Sequence, residues 1–179
     1  MDFLAILRAG LEQHHGEVTD ANFVTCNFPF VSCQSSRVGH RRQVSLPMAS
    51  LNNGWQYLQS GRSSYRRLAL RHWEPLLNST EQLLLVTGSC GLQLALEGLQ
   101  VTSAELDRVQ VLALGPVANQ ARARSSMHLL TIQGERDWLS RHFFSADVLV
   151  PGVGHLEYWS NECVHKVATD WVLNKISVS

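Results

Sequence analysis

The stretch Leu85-Val86-Thr87-Gly88-Ser89-Cys90-Gly91-Leu92 carries a short apolar run straight into small residues around a serine and then into a helical pattern. A serine on such a strand-to-helix turn can act as a nucleophile. The turn is strained, residues two places away on either side must be small so that strand and helix approach, and the helix N-terminus faces a developing oxyanion. Thr87 and Gly91 hold those flanking places, and the backbone N–H of Cys90 is the expected oxyanion donor. Further along, Leu129-Leu-Thr-Ile-Gln-Gly-Glu-Arg-Asp137 ends an apolar run on an acid, and Val148-Leu-Val-Pro-Gly-Val-Gly-His155 ends another on a histidine. These residue types suit acyl transfer: a histidine base removes the serine proton during attack on a carbonyl and returns it to the leaving group, while an acid fixes the histidine tautomer. Each residue also has a plainer role, Asp137 as a turn cap, His155 as a loop histidine bonded to backbone, Ser89 as a partner for a helix N-terminus. Their joint occurrence at the ends of three apolar runs favours the chemistry.

Cys90 is the rival nucleophile. With Cys90 at the centre, Leu92 falls where a small residue is needed, so Ser89 is preferred. The other histidines form no metal pattern: His14 and His15 are adjacent, and His40, His72, His128, His142 and His165 have no partner four residues away. Neither a metal nor another cofactor is expected.

The apolar runs that must position these residues read as strands: Leu83–Val86, Val109–Leu114, His128–Ile132 and Asp147–Val150. Leu83–Val86 is short, unbroken and closed by a turn signal, as in a strand buried on both faces of a parallel sheet, and the other three are short apolar runs that end before Gly or Pro turns. Between and around them, residues 3–13, 92–99 and about 161–173 have helical periodicity, the last with Val164, Val167, Ala168, Trp171 and Val172 on one face. Residues 48–77 place Leu51, Trp55, Leu58, Leu68, Leu70, Trp73 and Leu76 at mostly helical spacing, broken at Ser60-Gly61. Residues 22–28 alternate like a half-buried edge strand, and about 31–47 read as a surface loop with Arg37, Arg41 and Arg42. The pattern predicts an α/β fold with a mostly parallel, doubly wound sheet and flanking helices.

The chain has 179 residues, which suits a single domain over 1–179 with a core that needs no staples. Fifteen basic residues balance fifteen acidic ones, so no net field draws the protein to nucleic acid or an anionic membrane. No apolar run is long enough to span a bilayer, and Met1–Gly10 is too interrupted by charge for a signal peptide. Cys26, Cys33, Cys90 and Cys163 show no regular framework and read as reduced thiols of a cytoplasmic protein. Arg37, Arg41, Arg42, Arg66 and Arg67 could recognise an acidic carrier, but a solvated face is the preferred reading.

Residues 83–173 resemble the α/β-hydrolase superfamily through the Ser89 elbow, the strand followed by Gly-x-x-Asp137, the strand followed by Pro-Gly-x-Gly-His155, and the order Ser, Asp, His. The resemblance implies a minimal member with no cap domain and a catalytic triad of Ser89, Asp137 and His155. It implies a carboxyl-ester or thioester hydrolase acting on a small ester or a carrier-bound acyl group, the methyl ester of a pimeloyl group on acyl carrier protein being one candidate. The alternative is a non-catalytic, hydrolase-like binding module. Residues 3–13 and 22–28 resemble the helix and strand that follow the family's oxyanion loop, so the second oxyanion donor is expected from loop 29–47 or from residues upstream, or is missing in a degenerate relative. One such donor is worth on the order of 10²–10³ in rate. Eighteen positions separate Asp137 from His155, which leaves room for only a short connecting helix.

Overall fold

A computed structural model describes residues 3–15, 54–100, 106–126 and 128–176. The strand expected at 22–28, the loop at 29–47, Arg37, His40, Arg41, Arg42, Leu51, Cys26 and Cys33 lie outside the described residues.

The described chain alternates helices and strands: α1 (Phe3–His15), α2 (Ser63–Ser79), β1 (Leu83–Gly88), α3 (Gly91–Leu99), β2 (Val109–Leu114), α4 (Gln120–Ser126), β3 (His128–Gly134), α5 (Trp138–Phe143), β4 (Val148–Val150) and α6 (Glu162–Ile176). Residues 54–60 are also helical. The strands form one sheet in the order β1-β2-β3-β4, every pair parallel, with Gly88 opposite Leu114 and Gly134 opposite Val150. Parallel neighbours need crossovers, which the intervening helices supply. All four strands therefore end on the same side, and Ser89, Asp137 and His155 follow the ends of β1, β3 and β4.

The pleat of β2 divides the interior. Val109, Val111 and Ala113 join one cluster with α2, α3 and Ala123 of α4, while Leu112 and Leu114 join a second with Phe3, Leu7, Ile132, Val164, Ala168 and Val172. The second cluster contains the face expected for the C-terminal helix, with Val167 and Trp171 packed at its margin. β2 is buried almost throughout, as its apolar run requires. β1, expected to be buried on both faces, is mostly half-buried. It stands at one end of the described strand order, paired with β2.

Corrections fall in the helix before β1. The break at Ser60-Gly61 is real, but the face that packs is Tyr65, Ala69, Trp73 and Leu77, while Trp55, Leu58 and Leu68 are exposed. One four-residue ladder fills the groove against α3, and spacing alone did not distinguish it from its neighbours. Arg66, expected on a solvated face, instead holds a buried acid: its guanidinium donates to Glu97 Oε2 at 2.9 and 2.7 Å, and Arg122 meets Glu97 Oε1 at 2.5 Å. Burial pushes the Glu97 carboxyl up, but hydrogen bonds from Arg122 and Arg66 outweigh it and hold the group below the usual range. This pairing ties α2, α3 and α4 behind the elbow. Arg67 is exposed.

Candidate active site

The turn after β1 is held in a shape that a serine rarely adopts. Ser89 has φ +52°, and among the described residues it is the non-glycine residue with positive φ. Such a conformation costs about 1–3 kcal/mol and persists only where the surroundings over-determine it. Two backbone bonds do so here: Ser89 N–H donates to Leu114 O at 3.0 Å, and Val117 N–H donates to Ser89 O at 3.0 Å. The two flanking positions come together across the turn. A Cβ on Gly91 would stand 3.5 Å from Thr87 Cβ, an ordinary van der Waals contact, so Thr87 is tolerated there without a clash.

The chain then brings the three distant residues together. His155 Nε2 lies 3.0 Å from Ser89 Oγ, and His155 Nδ1 lies 2.8 Å from Asp137 Oδ2. With Nδ1–H donating to the carboxylate, Nε2 presents its lone pair to the serine hydroxyl. Asp137 is buried completely, whereas the His155 side chain keeps about a quarter of its surface. That gradient suits an acid that orients and a base that meets solvent-borne substrate.

Asp137 is also the N-cap of α5, accepting Ser140 N–H at 3.0 Å through Oδ1. The plainer role as a cap and the role toward His155 are thus filled by different oxygens of one carboxylate. Burial raises the Asp137 carboxyl, but hydrogen bonds from His155, Tyr158 and the Ser140 N–H, with the charge of His155, outweigh it and hold the group at about 2.

Tyr158 went unnoticed in the sequence. Its hydroxyl donates to Asp137 Oδ2 at 2.6 Å, the oxygen that His155 also uses, and accepts from Gly134 N–H at 2.8 Å. It sits in an irregular turn with no periodicity, and its only signal was a buriable hydroxyl three residues after His155. Tyr158→Phe should leave Gly134 N–H without an acceptor and Asp137 with one donor fewer. The expected result is a loss of about 1–3 kcal/mol in urea unfolding, and, in ester turnover, a lower kcat with KM nearly unchanged, because the tyrosine acts on the acid and not on substrate.

Gly115, directly after β2, packs against Tyr158 and Asp137. Its φ is +54°, and a Cβ there would lie 2.5 Å from Tyr158 Cε2 and 2.8 Å from Asp137 Oδ2. Gly115→Ala should therefore combine left-handed strain of about 1–2 kcal/mol with overpacking of about 1–3 kcal/mol. Denaturant midpoints of the variant and parent check this, and the variant should also lose turnover because the displaced groups are Tyr158 and Asp137.

Cys90 heads α3 directly after Ser89. Its thiol is buried, and burial pushes it above the ordinary cysteine range, so thiolate is scarce at neutral pH. It is Ser89 Oγ that faces His155. Cys90 and Cys163 are outside any disulfide. Among the described residues no helix is long and apolar enough to cross a membrane. Among the described residues, the chain between β2 and β3 makes the seven-residue α4, and between Asp137 and His155 the six-residue α5. No protein-family model matches this chain, and no curated protein matches it closely.

Proposed function

We propose that the protein is a serine hydrolase of the α/β-hydrolase type, with a doubly wound sheet and no cap, that cleaves a carboxyl ester or thioester through an acyl-enzyme on Ser89. The observation that carries this reading is the relay Ser89 Oγ, His155, Asp137 at 3.0 and 2.8 Å, beginning from a serine held at φ +52°. Strain and a three-part hydrogen-bond relay are costly to assemble for a structural serine and are what a nucleophile requires.

In this mechanism His155 Nε2 takes the Ser89 hydroxyl proton as Oγ forms a bond to the substrate carbonyl carbon. The carbonyl oxygen becomes the oxyanion, with the Cys90 backbone N–H as one donor. Collapse breaks the bond to the alcohol or thiol, which leaves with the proton from His155. Water, deprotonated by the same nitrogen, then attacks the acyl-enzyme, and the acid departs as Ser89 recovers its proton. Asp137 keeps its charge throughout: its carboxyl, held at about 2, stays ionised beside the imidazolium.

The short α4 and α5 suit a site that takes a small ester or an acyl group presented on a carrier. A carrier such as acyl carrier protein draws less support, because Arg66 is engaged by Glu97. A reducing, cytoplasmic setting is compatible with the thiols of Cys90 and Cys163. Mixing the protein with p-nitrophenyl esters tests the reading: a burst of nitrophenol stoichiometric with enzyme, followed by steady release, is expected of an acyl-enzyme. Absence of both burst and turnover favours a hydrolase-like binding module.

A further inference from the structure

Trp159 lies against the residue immediately before Ser89. A Cβ built on Gly88 would stand 3.2 Å from Trp159 Cζ2, so the indole fills the space that a side chain at 88 would take. Across one peptide link, this places the ring within roughly 9 Å of the Ser89 Cα.

The residue is held by its neighbours and its side chain is partly exposed. The Trp159 backbone carbonyl accepts from His165 Nε2 at 3.0 Å. Phe3 meets it edge-on at 5.7 Å and 68°, and His165 stacks on Phe3 at 5.0 Å, so both the N-terminal and C-terminal helices hold it. The preceding residue, Tyr158, is anchored on Asp137 and Gly134. Yet Trp159 keeps 47% of its surface exposed, and Leu156, the neighbour of His155, keeps 67%. A half-exposed aromatic ring braced by Phe3 and packed on Gly88, next to a nucleophile, is a preformed apolar wall. Nothing in the relay itself requires it.

We propose that Trp159 is a specificity-determining residue whose exposed surface packs against an apolar alkyl or aryl chain of the ester, so that the preferred substrates carry a medium-length or aromatic group and not a bare acetyl. This inference rests on Ser89 being the acyl-transfer nucleophile.

The test compares the parent protein with Trp159→Ala and Trp159→Phe. Labelling by a fluorophosphonate probe first reports whether Ser89 is activated in each. Then kcat/KM is measured along p-nitrophenyl esters with acyl chains of increasing length, and along acetate esters of alcohols of increasing length, which separates an acyl-side wall from an alcohol-side one. In the parent, kcat/KM should rise along one series, a fully buried methylene being worth about fourfold. Trp159→Ala should flatten that series, losing on the order of tenfold or more on the longest member relative to the shortest, while labelling persists; Trp159→Phe should fall between. Retained labelling with an unchanged slope overturns the proposal, as does a loss uniform along both series, which marks a merely structural tryptophan. An unlabelled parent instead removes the nucleophile reading, and the inference with it.

Discussion

Ser89→Ala should lower ester turnover by on the order of 10⁶-fold, the scale at which removing a triad nucleophile disables the whole unit. The Ser89 hydroxyl oxygen is 3.0 Å from His155 Nε2, and the backbone that holds it is fastened by Leu114 O and Val117 N–H, not by the side chain. Alanine keeps those backbone bonds and the same φ, so urea unfolding should shift by only about 1 kcal/mol, the worth of one hydrogen bond. A serine present only to satisfy a helix terminus gives the opposite pattern: stability falls and turnover is unaffected.

Asp137→Asn should lower kcat on the order of 10⁴-fold, because an amide beside Nδ1 can present N–H where the imidazole also needs to donate, and the wrong tautomer follows. It should also change the dependence of stability on pH. The folded carboxyl is held at about 2, below the value of about 3.9 for an unfolded aspartate. A depressed carboxyl contributes stability that is fully present above the unfolded value and is lost as pH falls through the folded one. The parent should therefore lose this contribution between about pH 4 and pH 2. The amide of the Asp137→Asn variant takes up no proton over that interval, so its unfolding free energies should fall less steeply there. Equal slopes for the two proteins would contradict the assigned network.

The sheet was legible because its signal is long-range and strong. Val109–Leu114 is a largely apolar run, and it became the inner, buried strand β2 residue for residue. Ser89, Asp137 and His155 stood out because each follows such a run, and parallel strands deliver their ends to one side of a sheet. What the sequence obscured was packing that depends on a partner. In α2, Leu68 and Ala69 are adjacent, and only contact with α3 decides that Ala69 turns inward while Leu68 faces solvent. Helices α4 and α5 span fewer than two full turns each and bury only Ala123 and Ser140, so they carry no apolar stripe. Tyr158 and Trp159 lie in a turn, where spacing has no period to reveal them. Their importance follows from hydrogen bonds and ring contacts to residues far away in sequence, Gly134, Gly88 and Phe3.

The central claim is that Ser89 is an activated nucleophile. The most direct measurement is to react the protein with a fluorophosphonate and locate the adduct by peptide mass spectrometry, alongside Ser89→Ala and Cys90→Ala. A single adduct on Ser89 is expected, abolished in Ser89→Ala and largely retained in Cys90→Ala. An adduct on Cys90, or no adduct on the folded parent protein, would contradict it.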